Sequence, residues 1–161
     1  MGTDIHTNIE VRNRTTGKYE RKALYAKKDD GSYEEAWQFL DDRNYHLFGK
    51  LAGVRSYDLP FVSPRGLPDD PSDETLELYE KERDWIHNVT WYDYCELSLY
   101  AESEHAYVDD VEYDEENKEY VTTDRYNVVE PYLNSIRMVL ESYEVYYPRP
   151  GDARIVIWFD S

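Results

Sequence analysis

The sequence predicts a single α+β domain, a mostly antiparallel sheet made from an N-terminal hairpin and a C-terminal strand, with helices on one face and an acidic hairpin inserted at about residues 106–126. Three observations predict it. Residues 4–11 alternate, with Ile5, Thr7, Ile9 and Val11 on one side and Asp4, His6, Asn8 and Glu10 on the other, the period of a half-buried strand. Leu133, Ile136, Val139 and Leu140 recur at the spacing of an amphipathic helix. Residues 153–160, ARIVIWFD, are apolar enough to be a central strand. A chain of 161 residues is of single-domain length and can bury a core without staples.

In chain order, the first strand ends near Arg12. Residues 13–17, NRTTG, have turn chemistry, with Gly17 suited to a positive φ. Residues 18–27 read as the return strand, and 28–32 as a loop. Residues 33–40 read as a helical turn carrying Trp37 and Phe39. Residues 44–52 fit a short helix, capped by Asp42 or Asn44 and stopped by Gly53. Residues 54–71 contain four prolines and form a long loop of the kind that is usually functional or disordered. A helix follows from a cap at Ser72 or Asp73 to about Trp85, with acids in its first turn where the helix dipole favours them. Residues 87–90 break it. Thr90, with Asp93 three residues on, resembles a capping box and opens a further helix from Trp91 to about Ala101. Residues 107–113 and 119–126 alternate as two strands of a hairpin. Residues 128–141 form a helix with Pro131 tolerated in its first turn. Residues 148–152, PRPGD, turn the chain into the last strand.

Charge narrows the partners. The net charge is −17, from 35 acidic and 18 basic residues. Such a surface repels phosphate backbones, so direct nucleic-acid backbone binding is not expected. A basic protein, including one that binds nucleic acid, is a partner this charge fits, and solubility alone is the other reading. Residues 102–119 hold nine acids and one lysine, as a nucleic-acid mimic would, or as an edge hairpin protected from aggregation would. Seventeen tyrosines and four tryptophans argue against disorder. One cysteine, Cys95, excludes an internal disulfide and a cysteine-based zinc cluster. No signal-peptide pattern opens the chain and no apolar run approaches ~20 residues. The expected location is therefore cytoplasmic, with no membrane partner; homo-oligomerisation is left open.

Five blocks occur in order: MGTDIH, RNYHLFGKLAGVR, SPRGLPDDPS, HNVTW and RIVIWFDS. Together they cover roughly a third of the chain. The set resembles an uncharacterised family of small phage and prophage proteins, whose members open MG-C/T-DIH and carry RNY-x-LF-xx-LAGVR, PRGLP and H-x-x-S/T-W blocks. The resemblance implies a phage origin, hence the cytoplasm of an infected host cell, and no particular activity. Val89 stands where the family often has a second histidine, leaving His87. The acidic hairpin looks like an addition to the family pattern.

Three sets of residues are candidates for chemistry. Asp4 and His6 point the same way on the first strand, and a carboxylate with an imidazole suits a divalent metal such as Mn, Fe or Zn. The further ligand blocks of a metal phosphoesterase are not recognisable, and a hydrogen-bonded polar pair explains the same residues. His87, Thr90 and Trp91 lie at the expected break between two helices, where unpaired N–H groups can meet an anion; Trp91 serves equally as a core residue. Arg43, Asn44, Tyr45, Arg55 and Arg65 supply forks for phosphate and donors for sugar or base edges, or else tie loops to the body. His6 and His87 are the candidate acid–base groups. No Walker or Rossmann glycine motif and no nucleophile elbow occurs.

The resemblance implies a phage accessory protein, and these residues favour one that binds a small phosphorylated ligand, a nucleotide first; by analogy, such a protein counters a host defence that signals by nucleotides. Two alternatives stand beside it: an acidic nucleic-acid mimic that inhibits a host protein, and a metal-dependent phosphoester hydrolase. Whether the ligand is hydrolysed or only held is open at this point.

Overall fold

The computed structural model describes residues 2–36, 40 and 43–161. Among them the elements run β1 (Asp4–Arg12), β2 (Tyr19–Lys22), β3 (Tyr25–Lys27), β4 (Tyr33–Glu35), α1 (Tyr45–Ala52), α2 (Asp73–Glu82), β5 (Ile86–Asp93), α3 (Tyr94–Glu102), β6 (Tyr107–Asp114), β7 (Glu119–Asn127), α4 (Glu130–Ser142) and β8 (Ala153–Asp160). The α+β class and the antiparallel pairing agree with the sequence.

The main sheet has the order β2-β1-β8-β5. β8 is central because its residues are apolar on both faces, and every residue from Ala153 to Phe159 is buried. It pairs antiparallel with β1, Asp4 opposite Asp160 and Val11 opposite Ala153. It pairs with β5 on its other side.

The apolar face carries Ile5 and Ile9 of β1 with Ile155, Ile157 and Phe159 of β8. α1, α3 and α4 cover it. Phe48 of α1 meets Phe159 edge-on at 5.2 Å between centroids. Tyr132 of α4 shares a 2.7 Å hydrogen bond with Thr7. The opposite face is polar but also covered. α2 crosses it, with Tyr79 edge-on to Trp158 and Glu82 accepting from the Trp158 indole N–H at 2.9 Å.

Several elements differ from the sequence reading. The return strand of residues 18–27 divides into β2 and β3, the latter pairing with β4 in a small sheet of its own. Residues 33–35 are therefore strand rather than helical turn, and Trp37 and Phe39 lie outside the described residues, as does Asp42. Asn44 caps α1, its side chain accepting from the Leu47 N–H, and Gly53 ends the helix at φ 70°.

The larger correction concerns residues 86–93. They form β5, not a helix break followed by a helix start. Val89, Thr90, Trp91 and Tyr92 are β-branched or aromatic and fit a pleated, half-buried surface, and β8 supplies the partner. Thr90 caps nothing and is fully buried. Asp93 is the cap of α3, accepting from the Cys95 N–H at 2.9 Å. A bulge between His87 and Thr90 shifts the register, and Asn88 takes φ 51° there.

β6 and β7 pair with each other as a separate two-stranded ribbon. Register puts Asp110, Glu112, Asp114, Glu119 and Asp124 on one face. The other face carries Tyr113 against Tyr120 and Arg125 over Tyr107. Most of the ribbon is exposed on both faces.

Candidate functional site

At the end of the sheet where β1 begins and β8 ends, side chains from four separate segments join in one hydrogen-bonded chain. The backbone brings each of them there. Asn44 caps α1 and so sets Tyr45 in its first turn. Gly53 turns the chain back so that Arg55, itself at φ 55°, reaches Thr3. The β5 bulge aims His87 past Phe159, on which its ring stacks.

The direction of the protons follows from the two ends of the chain. The Asn88 amide nitrogen donates to the Ala52 carbonyl at 2.9 Å. Its oxygen therefore faces His87 Nδ1 at 3.0 Å, and Nδ1 must carry the hydrogen. In the neutral ring Nε2 is then the acceptor, and the Ser161 hydroxyl, 2.8 Å away, donates to it. At the other end Arg55 Nε donates to Thr3 Oγ1 at 2.8 Å. Ser161, whose one hydrogen goes to His87, then accepts from the Thr3 hydroxyl at 3.0 Å. Thr3 N–H also donates to the Tyr45 hydroxyl at 3.3 Å. Thr3 is fully buried, whereas Arg55, Tyr45 and Ser161 are exposed. Arg43 grips both carboxylate oxygens of Asp4, the residue after Thr3, at 2.6 and 3.1 Å. The hydrogen bond from Arg43 holds the Asp4 carboxyl below its usual range. Gly2 makes room for that guanidinium, since a Cβ there would lie 2.2 Å from Arg43.

His6 belongs to a second cluster on the other face of the sheet. Its Nε2 lies 2.7 Å from Asp160 Oδ2 and its Nδ1 3.9 Å from Glu82, beside Trp158. His6, Glu82 and Trp158 line a cavity of about 170 Å³ together with Asn8, Arg21 and Glu35, and Arg21 is itself paired with Glu35. His6 stands opposite Trp158 and His87 opposite Phe159. Adjacent residues of a strand face opposite ways, so the two histidines lie on different faces and do not form one centre.

The structure thus joins Tyr45, Arg55 and His87 through Thr3 and Ser161, holds Arg43 on Asp4, whose side chain shares the His6 face, and leaves the other candidates in structural positions. Arg65 forms a bidentate pair with Glu96 at 2.6 and 2.7 Å and lies over the Trp91 ring. Thr90 Oγ1 accepts from the Arg65 backbone N–H at 3.1 Å. Since β5 is a strand, the anion site expected at a helix break around His87, Thr90 and Trp91 does not exist as such. Asn44 spends its side-chain oxygen on the α1 cap. Asp4 is engaged by Arg43 and His6 by Asp160. Among the described residues no group of three His, Cys, Asp or Glu side chains could hold a metal ion.

Sequence reasoning missed Thr3, Asn88 and Ser161. Each is a small polar residue whose ordinary explanation is a turn or a strand end. The one available signal was their position, next to Asp4, His87 and Asp160 inside the blocks of the family resemblance.

The chain matches no family model, no curated protein and no solved structure. No helix among the described residues is long and apolar enough to cross a membrane. The geometry therefore carries the functional argument.

Proposed function

We propose that the protein is a phage accessory protein that binds a small phosphorylated ligand, a nucleotide first, at the Arg43–Tyr45–Arg55–His87 cluster. One observation carries the reading. Tyr45 and Arg55 are held on Thr3 and Arg43 on the adjacent Asp4, while His87 reaches Thr3 through Ser161. A guanidinium on Thr3, a second on Asp4, a phenol, a hydroxyl and an imidazole at one end of the sheet suit phosphate oxygens. On the phage resemblance, the ligand class is a nucleotide signal of a host defence; that step is analogy.

The test is thermal melting of wild type and Arg55→Ala with nucleotides, cyclic nucleotides and inorganic phosphate. A ligand at a hundred times its dissociation constant adds about 2.7 kcal/mol, a rise of several degrees for a domain of this size. The rise is expected in wild type and not in the variant. No rise with any of these ligands would refute the proposal.

A second reading, the acidic mimic, draws support from the ribbon. Five carboxylates share one of its faces, and Asp110 stands directly opposite Asp124, as Asp114 does Glu119. Like charges directly opposed weaken a ribbon. On this reading the wild-type protein competes with DNA for a basic host protein. Deleting residues 109–125 abolishes that competition, and His87→Ala leaves it intact.

A further inference from the structure

We propose that Ser161 is a nucleophile activated by His87, so that the cluster transfers a phosphoryl group from its ligand and does not merely hold it. The inference rests on the phosphorylated-ligand reading and names the chemistry of that same site.

The geometry has the parts an activated hydroxyl needs: a nucleophile hydrogen-bonded to a base, and a third group that orients the base. Ser161 Oγ is exposed and 2.8 Å from His87 Nε2. Asn88 Oδ1 fixes the proton on Nδ1, and the Ala52 carbonyl fixes Asn88 in turn. This leaves the Nε2 lone pair aimed at Ser161. On the other side Thr3 donates to Ser161 Oγ, a bond that strengthens as negative charge grows on that oxygen. Arg55, bonded to Thr3, brings positive charge to where phosphoryl oxygens would lie.

Backbone strain points to the same place. Asn88 and Arg55 are two of the four non-glycine residues with positive φ among those described, and both belong to this chain of bonds. Such conformations cost free energy and cluster at active sites, and bulges like that at His87 re-aim side chains there.

The reaction balances with water as the only co-reactant. Ser161 Oγ gives its proton to His87 Nε2 and forms a bond to phosphorus. The bond from phosphorus to the leaving oxygen breaks, and that oxygen takes the proton from His87. Water then gives a proton to His87, its oxygen bonds to phosphorus, and Ser161 leaves and recovers its proton. The net change is phosphoester plus water to phosphate plus alcohol. Ser161 and His87 are the catalytic residues; Asn88 and Thr3 position them.

The test uses a fluorophosphonate probe on the full chain, with the labelled residue located by mass spectrometry, beside melting with inorganic phosphate. The expected result is an adduct on Ser161. Labelling slows at least about 100-fold in His87→Ala, the scale of a lost general base, and is absent in Ser161→Ala. Both residues lie outside the apolar core, so both variants are expected to melt near wild type. In Asn88→Asp the pH at which labelling rises moves upward, because a carboxylate stabilises the imidazolium; a merely structural Asn88 would not move it. Phosphate that raises the melting temperature while Ser161 stays unlabelled would overturn the nucleophile and leave the binding site standing. Labelling of Ser161 with no melting shift from phosphate or from any nucleotide would overturn the phosphoryl substrate, and with it the ligand reading.

Discussion

Arg154 of β8 donates to Glu10 of β1 at 2.7 Å, and both side chains are sealed from solvent, 5% and 0% exposed. The pair also ties down the long loop and α2. Arg154 binds the Asp70 carboxylate and carbonyl, and Glu10 accepts from the Ser72 N–H at 2.6 Å. Removing one partner of a buried pair strands the other charge and costs about 3–5 kcal/mol. Arg154→Met is expected to cost that much in urea unfolding. The double variant Glu10→Gln/Arg154→Met should lose less than the sum of the singles, a coupling the cycle measures directly.

Gly49→Ala sets two effects against each other. Alanine favours a helix interior by about 0.8–1.0 kcal/mol over glycine. Yet a Cβ at Gly49 would lie 2.5 Å from the Ser56 Cβ and 3.0 Å from the Asp58 Cβ. Overpacking of this kind costs about 1–3 kcal/mol, so clash outweighs propensity. The variant should unfold at lower urea than wild type; a gain in stability would show that residues 56–58 yield freely.

Acid should weaken the fold through Asp4. Its carboxyl is held below the usual value of 3.8, first by the hydrogen bond from Arg43. A lowered folded value gives stability that is fully present above the unfolded pKa and is lost as pH falls through the folded one. The loss therefore lies below about pH 4. Arg43→Ala should flatten this part of the urea-midpoint profile and return the Asp4 resonance in an NMR titration to the ordinary range.

Alkali should act through Tyr92 and Tyr132. Burial raises both phenols well above the ordinary value of 10.0. Their stabilising contribution is complete below that value and is lost as pH rises above it, because the unfolded chain ionises first. Phenolate absorbance should show these two tyrosines ionising only with unfolding. Tyr132→Phe, which deletes the bond to Thr7, should cost about 0.5–1.5 kcal/mol.

Asp124→Lys places opposite charges across the ribbon at Asp110. A favourable pair in place of a repulsive one adds roughly 0.2–1 kcal/mol to local pairing, seen as slower amide exchange in β6 and β7. If the acidic face meets a basic partner, the same change should weaken that contact.

The elements legible in the sequence are those whose pattern is local and strong. β1 alternates, α4 carries an unbroken apolar stripe, β8 is apolar throughout, and β6 and β7 are joined by a short turn. β5 was not legible, because Thr90 and Asp93 stand at capping-box spacing and only β8, some sixty residues on, makes the segment a strand. The site was legible in kind but not in grouping. Arg43, Tyr45, Arg55 and His87 could be singled out by chemistry, yet nothing local separates Arg55, bonded to Thr3, from Arg65, bonded to Glu96. The Thr3–Ser161 contact spans 158 residues and the Asn88–Ala52 contact 36, separations that leave no periodicity to read.

The strand order has a consequence for synthesis. β1 and β5 both pair with β8 and not with each other. Once β5 has been synthesised, three strands of this sheet, β1, β2 and β5, exist while β8, the partner that β1 and β5 share, is still missing. Those contacts are of high contact order, a property that slows folding and prolongs exposure of unpaired strands. The β1–β8 and β5–β8 pairings, and the Thr3–Ser161 junction at the end of the sheet, can form only when β8 emerges, so Thr3 and His87 stay apart until that strand is in place.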